Sequence, residues 1–336
     1  MLALWDTTGN EVVRKLAAER RNAGGVASGL ALNLVVIVDE GRVRQVEDAA
    51  TIAAASHPCR LLVVSRGPVA GVDAATANAK DRLDAEIVVG GRLGPCEAVI
   101  MRMHGRLALH SESVVMPLLA PDVPVVTWWH GTPPEHIAYD PLGVVAERRV
   151  TDIAQCADPE AALRQRALDY APGDTDLSWT RLTGWRSLIA GAFDTGNSTA
   201  ISAVVYTGAA DPLGALLRGW IVSRTGIPVR LADSADGGRL SGVDFALADG
   251  GTLSLHSTGD GMALLRKTGQ LDLVMPLLQR RLGEELAEEL QRLDADQPYS
   301  RALSAATGVA GLGERPAVRT HIWQDPAWAQ PVGASA

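Results

Sequence analysis

Leu30–Val38, LALNLVVIV, is a nearly continuous run of apolar and β-branched residues interrupted only by Asn33. A run of strand length with no alternation predicts a strand buried on both faces, as at the centre of a parallel sheet. The sequence on either side supports this. Upstream, Thr8 and Glu11 have capping-box spacing, which predicts a helix over Asn10–Asn22 that Gly24 and Gly25 end. Downstream, Val43, Val46, Ala50, Ala53 and Ala54 fall at helical spacing, and Pro58 stops that helix ahead of a second apolar run, Leu61–Val64. Further strands are expected at Ile87–Val89, Ala98–Met103 and Val123–Trp128, with a helix-like stretch at Ser111–Leu119. Strands alternating with helices predict an α/β fold whose first domain is a mainly parallel sheet with helices on both faces.

At 336 residues the chain exceeds what one core usually organises, so two domains are expected. Asp158 followed by Pro159 starts a helix running to Tyr170, and another extends from about Ser178 to Phe193. The small, polar DTGNS segment, Asp194–Ser198, then marks the expected boundary, giving an N-terminal α/β domain over 1–193 and a C-terminal mixed α/β domain over 194–336. In the second domain Ile201–Tyr206, Pro212–Arg224 and Val229–Leu231 read as strand, helix and strand. Asp244–Ala248, Thr252–Ser257 and Met262–Lys267, separated by Asp-Gly-Gly and Gly-Asp-Gly, read as an antiparallel meander. C-terminal helices are expected over Pro276–Leu293 and Arg301–Thr307, followed by a short irregular tail.

Composition excludes several classes. With 47% hydrophobic and 21% charged residues the chain is a folded protein rather than a disordered tail. A formal charge of -8 provides no footprint for nucleic acid or an anionic membrane. Cys59, Cys96 and Cys156 are odd in number and widely spaced, which does not suggest a disulfide framework. No signal peptide or membrane-spanning run is evident, so a cytoplasmic protein is expected.

Candidate chemistry is sparse. His57, Cys59, Cys96, His104, His110, His130 and His136 include no pair at metal-specific spacing, and no nucleophile elbow surrounds Ser111 or Ser113. No glycine-rich phosphate loop follows a strand and opens a helix. Catalytic, cofactor-binding and metal-binding residues are therefore assigned to none. Two groups remain. Trp128, Trp129 and His130 close a predicted strand ahead of Gly131-Thr132-Pro133-Pro134. Strand alternation would send the indoles to opposite faces, so one could meet a partner, unless both pack under the second domain. Arg92, in a glycine-rich turn, with Arg102 and His104, forms an alternative set of anion contacts at the C-terminal ends of the strands.

Taken together, several segments resemble a known family. They are TTGNEVVR at Thr7–Arg14, ASGL at Ala27–Leu30, HPCR at His57–Arg60, CEAV at Cys96–Val99 with Met103-His104-Gly105, PLLAPDVPVVTWWHG at Pro117–Gly131, and PGDTDL at Pro172–Leu177. In this order they resemble the OpcA family of glucose-6-phosphate dehydrogenase assembly proteins, in its actinobacterial form. The resemblance covers most of the first domain and runs more loosely through the second. It implies a non-catalytic assembly factor or allosteric activator subunit that binds glucose-6-phosphate dehydrogenase as a hetero-oligomer in the oxidative pentose phosphate pathway. It carries over no catalytic residues. The alternative, from the residues alone, is an enzyme or sensor binding a sugar phosphate or nucleotide at the strand ends.

Overall fold

The computed structural model describes residues 1–23, 29–66, 80–90, 96–194, 198–234, 238–277 and 279–317. Two compact units emerge. The first comprises Met1–Thr151 with Leu282–Leu293, and the second Asp152–Arg281 with Asp294–Val318.

In the first unit, Leu30–Val38 becomes β2 (Leu32–Asp39), buried along its length except at Asp39. It pairs in parallel with β3 (Cys59–Arg66) on one side and with β6 (Val125–His130) on the other. β5 (Glu97–His104) extends the sheet in parallel beyond β3, and β7 (Arg148–Thr151) does so beyond β6. Antiparallel β4 (Arg82–Val89) and β1 (Leu2–Leu4) complete the order β1-β4-β5-β3-β2-β6-β7. On one face Val35, Ile37, Leu62, Val64, Val99 and Trp129 form a core with Val12 and Leu16 of α1 (Gly9–Asn22), whose cap Thr8 accepts the Glu11 amide. The other face is covered by α2 (Val43–Ser56), through Val46, Ala50 and Ala53.

In the second unit, α3 (Pro159–Asp169), short β8 (Asp174–Asp176), α4 (Leu177–Arg181) and α5 (Thr183–Asp194) lead into β9 (Ala200–Thr207). α6 (Pro212–Thr225) crosses to β10 (Val229–Asp233), which lies parallel to β9. The meander β11 (Gly242–Leu247), β12 (Thr252–Ser257), β13 (Met262–Lys267) and β14 (Leu273–Pro276) completes a six-stranded sheet in the order β10-β9-β11-β12-β13-β14. α7 (Leu282–Leu290) returns to the first unit and packs on α2; α8 (Gln297–Thr307) packs on α6.

The α/β expectation holds for both sheets, but three details differ. The units divide between Thr151 and Asp152 rather than at 193/194, because Leu163, Trp179, Trp185 and Ile189 share one core with Val205, Phe245 and Leu255. The helix that ends at Asp194 and the strand that starts at Ala200 both lie in that unit, and residues 195–197 of the expected boundary lie outside the described residues. The helix expected over Pro276–Leu293 starts only at Leu282, since Leu273–Pro276 pairs with β13 as an edge strand and proline, which has no amide to donate, sits at its end. Ser111–Leu119 is not one helix but two successive short turns, Glu112–Val115 and Met116–Leu118, with Pro117 inside the second.

Candidate functional site

The chain crosses from β2 to β3 and β5 on one side, then returns to β6 and β7 on the other. This makes the C-terminal ends of β2 and β6 the switch point where open α/β sheets place ligands. Asp39 ends β2 and His130 ends β6, with His130 level with Val38. Gly131 follows at φ +120°, where a Cβ would lie 3.1 Å from Asp39 Oδ2, so both conformation and space favour glycine there. His130 Nε2 lies 3.3 Å from Gln45 Oε1 on α2, and its ring lies 5.1 Å from that of Trp128.

Trp128, Trp129 and His130 are 0%, 2% and 3% exposed. Alternation does send the indoles to opposite faces, but β6 is an interior strand with both faces covered, and Trp129 joins the α1-side core. The contact surface expected of these residues is therefore not there: their side chains pack the sheet. Neither indole N–H has a hydrogen-bond partner among the described residues.

The anion contacts fare differently from one another. Arg92 lies outside the described residues. Arg102 and His104, two apart on β5, share a face, but Arg102 Nη1 donates to Glu86 Oε1 at 2.7 Å across the β4–β5 ladder. Glu47 of α2 lies in the same electrostatic environment. Burial raises its pKa, the Glu86 charge adds to that, and Arg102 opposes it. Arg102 is thus already shared between carboxylates of its own unit.

A clamp that sequence reasoning missed lies at the end of β3. Arg66 Nη2 donates to Ser111 Oγ at 2.8 Å, and Nη1 reaches Asp140 Oδ2 at 3.4 Å. Asp140 Oδ1 also accepts the Leu142 amide, capping the turn Pro141–Val144. One guanidinium therefore ties together the segments after β3, β5 and β6. No local pattern signals this clamp, because Ser111 and Asp140 are 45 and 74 residues from Arg66.

Among the described residues, the end of β2 does not lead into the glycine-rich turn of a dinucleotide cradle. Where a glycine-rich turn would open the first helix, the chain runs Asp39-Glu40-Gly41-Arg42 into α2. A carboxylate such as that of Asp39 suits a helix N-terminus but repels a pyrophosphate there. Among the described residues no group of three or more His, Cys, Asp or Glu side chains could hold a metal ion, and no helix is long and apolar enough to cross a membrane. On the N-terminal side, Cys59 and Cys96 are buried side by side, the Cys59 amide donating to Cys96 Sγ at 3.4 Å. Hydrogen bonding to Cys59 pushes the Cys96 thiol down to about 6, and the same interaction, with burial, pushes Cys59 up.

Residues 50–168 match the family described as the glucose-6-phosphate dehydrogenase subunit N-terminal domain, and residues 172–303 match its C-terminal domain. The chain belongs to the OpcA family. Among curated OpcA relatives, the putative OxPP cycle protein OpcA of Synechococcus elongatus is 34% identical over 140 residues, covering 39% of this chain and 32% of the relative. The protein of the same description from Synechocystis sp. is 28% identical over 145 residues, covering 42% and 30%. The chain thus spans about a third of the length of these relatives. Among solved structures, a 3-ketoreductase from Actinomadura kijaniata aligns at TM-score 0.44 and 12% identity, covering 83% of this chain and 95% of its own. An NAD binding oxidoreductase from Klebsiella pneumoniae aligns at TM-score 0.38 and 10% identity, covering 84% and 96%.

Proposed function

We propose that this OpcA-family chain is a non-catalytic subunit that binds glucose-6-phosphate dehydrogenase in the cytoplasm and supports its assembly or activity in the oxidative pentose phosphate pathway. The observation that carries this reading is the match of both parts of the chain, 50–168 and 172–303, to domains described as those of a glucose-6-phosphate dehydrogenase subunit. The switch point is compatible with it. Arg66 is engaged in a clamp, Arg102 is engaged with Glu86, and Asp39 stands at the entry to α2, so these two cations help hold the unit together. For an activator, the energetics require only that it bind the active or assembled dehydrogenase more tightly than the inactive form.

The test is to purify the chain and its dehydrogenase separately and measure co-elution and dehydrogenase kinetics with and without the chain. A stable complex with a changed kcat or KM is expected. Independent elution with identical kinetics at micromolar concentrations would sink the reading. Calorimetry with glucose 6-phosphate and nicotinamide cofactors on the isolated chain is expected to give no binding heat, and saturable heat would restore the ligand-binding alternative.

A further inference from the structure

The six-stranded sheet of the second unit has two unlike faces. One carries Ala203, Val205, Val243, Phe245, Leu253, Leu255, Ala263 and Leu265 into the core with α6 and α8. Residues of the opposite parity, including Val204, Tyr206, Leu264 and Val274, take no part in that core. The strand registers arrange this second face in level rows. One row runs Ala232, Tyr206, Gly242, His256, Leu264, Val274 from β10 to β14. The next runs Arg230, Val204, Asp244, Ser254, Arg266, and ends at Asp272, which pairs with Arg266 at 3.0 Å.

The centre of this face is flat and fixed. Asp244 accepts from Tyr206 Oη at 2.8 Å and lies 2.7 Å from His256 Nε2. A Cβ at Gly242 would lie 2.2 Å from His256 Nδ1, so the glycine lets the imidazole lie down across the sheet. The rim is exposed: Val274 is 61% accessible, and the Arg266 and Asp272 side chains are 62% and 55% accessible.

We propose that this face is a self-association surface, on which two copies of the chain stack sheet to sheet about a two-fold axis running along the strands between β11 and β12. Such an axis keeps each row level and exchanges β10 with β14, β9 with β13 and β11 with β12. The rows are complementary to themselves under that exchange. Arg230 of one copy meets Asp272 of the other, Ala232 meets Val274, and Tyr206 meets Leu264. Asp244 meets Ser254, Val204 meets the aliphatic stem of Arg266, and Gly242, over which its own His256 ring lies, meets the His256 of the other copy. No like charges are brought opposite one another in either row. Face-to-face packing at about 10 Å, with mean strand directions within about 30°, is the ordinary geometry of stacked sheets, and the long Arg230 side chain accommodates the divergence at the edges. An isologous surface of this kind closes at the dimer. The proposal does not depend on the dehydrogenase being the partner.

Arg230→Asp and Asp272→Arg variants of the full chain test it by sedimentation velocity, alone and mixed. Each change puts like charges opposite one another twice per dimer, so each variant alone should lose about tenfold or more in dimer affinity. Mixed together they should recover the dimer, because every contact in the heterodimer again sets one acidic against one basic side chain. On one side the two substituted positions face each other with their charges exchanged, and on the other the native Arg230 faces the native Asp272. Val274→Asp should dissociate the dimer and not be rescued by either. These positions are exposed, and unchanged thermal melts by circular dichroism would show that the fold is intact. A wild-type chain that stays monomeric at high micromolar concentration, charge variants that dimerise like wild type, or a mixture that recovers nothing would each overturn the proposal. So would variants whose measurable loss is binding to the dehydrogenase, since that would give the face to a different occupant.

Discussion

Replacing Trp128 or Trp129 with alanine separates a packing role from a contact role. An indole buries about 150–250 Å², and at about 25 cal/mol per Å² that is about 4–6 kcal/mol of transfer free energy. Alanine retains part of the burial and the site partly relaxes, so losses of about 3–5 kcal/mol are usual for such truncations. Each indole N–H here is buried without a partner among the described residues. Leaving a donor unsatisfied costs about 1–3 kcal/mol, which the truncation removes along with the ring. The expected loss is therefore about 3 kcal/mol per site, near the lower end, or about 6–12 °C in the melting temperature of a unit of this size. Phenylalanine keeps most of the apolar area and deletes the orphaned donor, so Trp129→Phe should change stability by no more than about 1 kcal/mol in either direction. Melts of the single variants by circular dichroism measure this, and dehydrogenase binding well below the transition should be unchanged. If Trp128→Ala and Trp129→Ala melt like wild type while binding is lost, the packing argument is refuted and the two side chains are a contact surface.

The contact of α7 on α2 is set by Gly283, where a Cβ would fall 2.6 Å from Ile52 Cβ and 2.8 Å from the Ala49 carbonyl. Gly283→Ala should cost about 1–3 kcal/mol in the first unit and increase proteolysis near 277–282; wild-type behaviour would show that α7 docks less tightly than described. Arg148 of β7 and Glu289 of α7 form a buried ion pair, so Glu289→Ala should destabilise by about 3–5 kcal/mol, read by urea denaturation, with an unchanged midpoint counting against it. For the cysteine pair, the thiol pushed down to about 6 contributes stability that is present above the ordinary thiol range and lost as pH falls through about 6. The thiol pushed up contributes stability that is present below the ordinary range and lost as pH rises above it. Stability should therefore peak near the ordinary thiol range, and Cys96→Ala should flatten the peak in denaturation series across pH. Cys59 and Cys96 are buried whereas Cys156 is partly accessible, so a thiol reagent should label Cys156 first in the native chain; equal rates at all three would contradict their burial.

Much of the fold was legible locally. An unalternating apolar run can satisfy its side chains only between two covered layers, which made Leu30–Val38 an interior strand before any tertiary information. Thr8 and Asp158 cap helices where short-range hydrogen bonding places them, and Asp-Gly-Gly and Gly-Asp-Gly turn the meander. Pro276 misled as a helix start because proline suits both a helix N-terminus and the end of an edge strand. Locally the two contexts look alike.

Local pattern thus determined the element types, the parallel first sheet and the antiparallel meander, since these depend on contacts within a few residues and on side-chain alternation. Tertiary structure decided everything that joins distant residues. It put both tryptophans inside, because β6 acquires neighbours on each side. It brought Arg66 to Ser111 and Asp140 and returned Leu282–Leu293 to the first unit. It also left one face of the second sheet out of the core, with its charges in level rows. The register that makes that face self-complementary involves six strands over more than 40 residues, and no local pattern carries it.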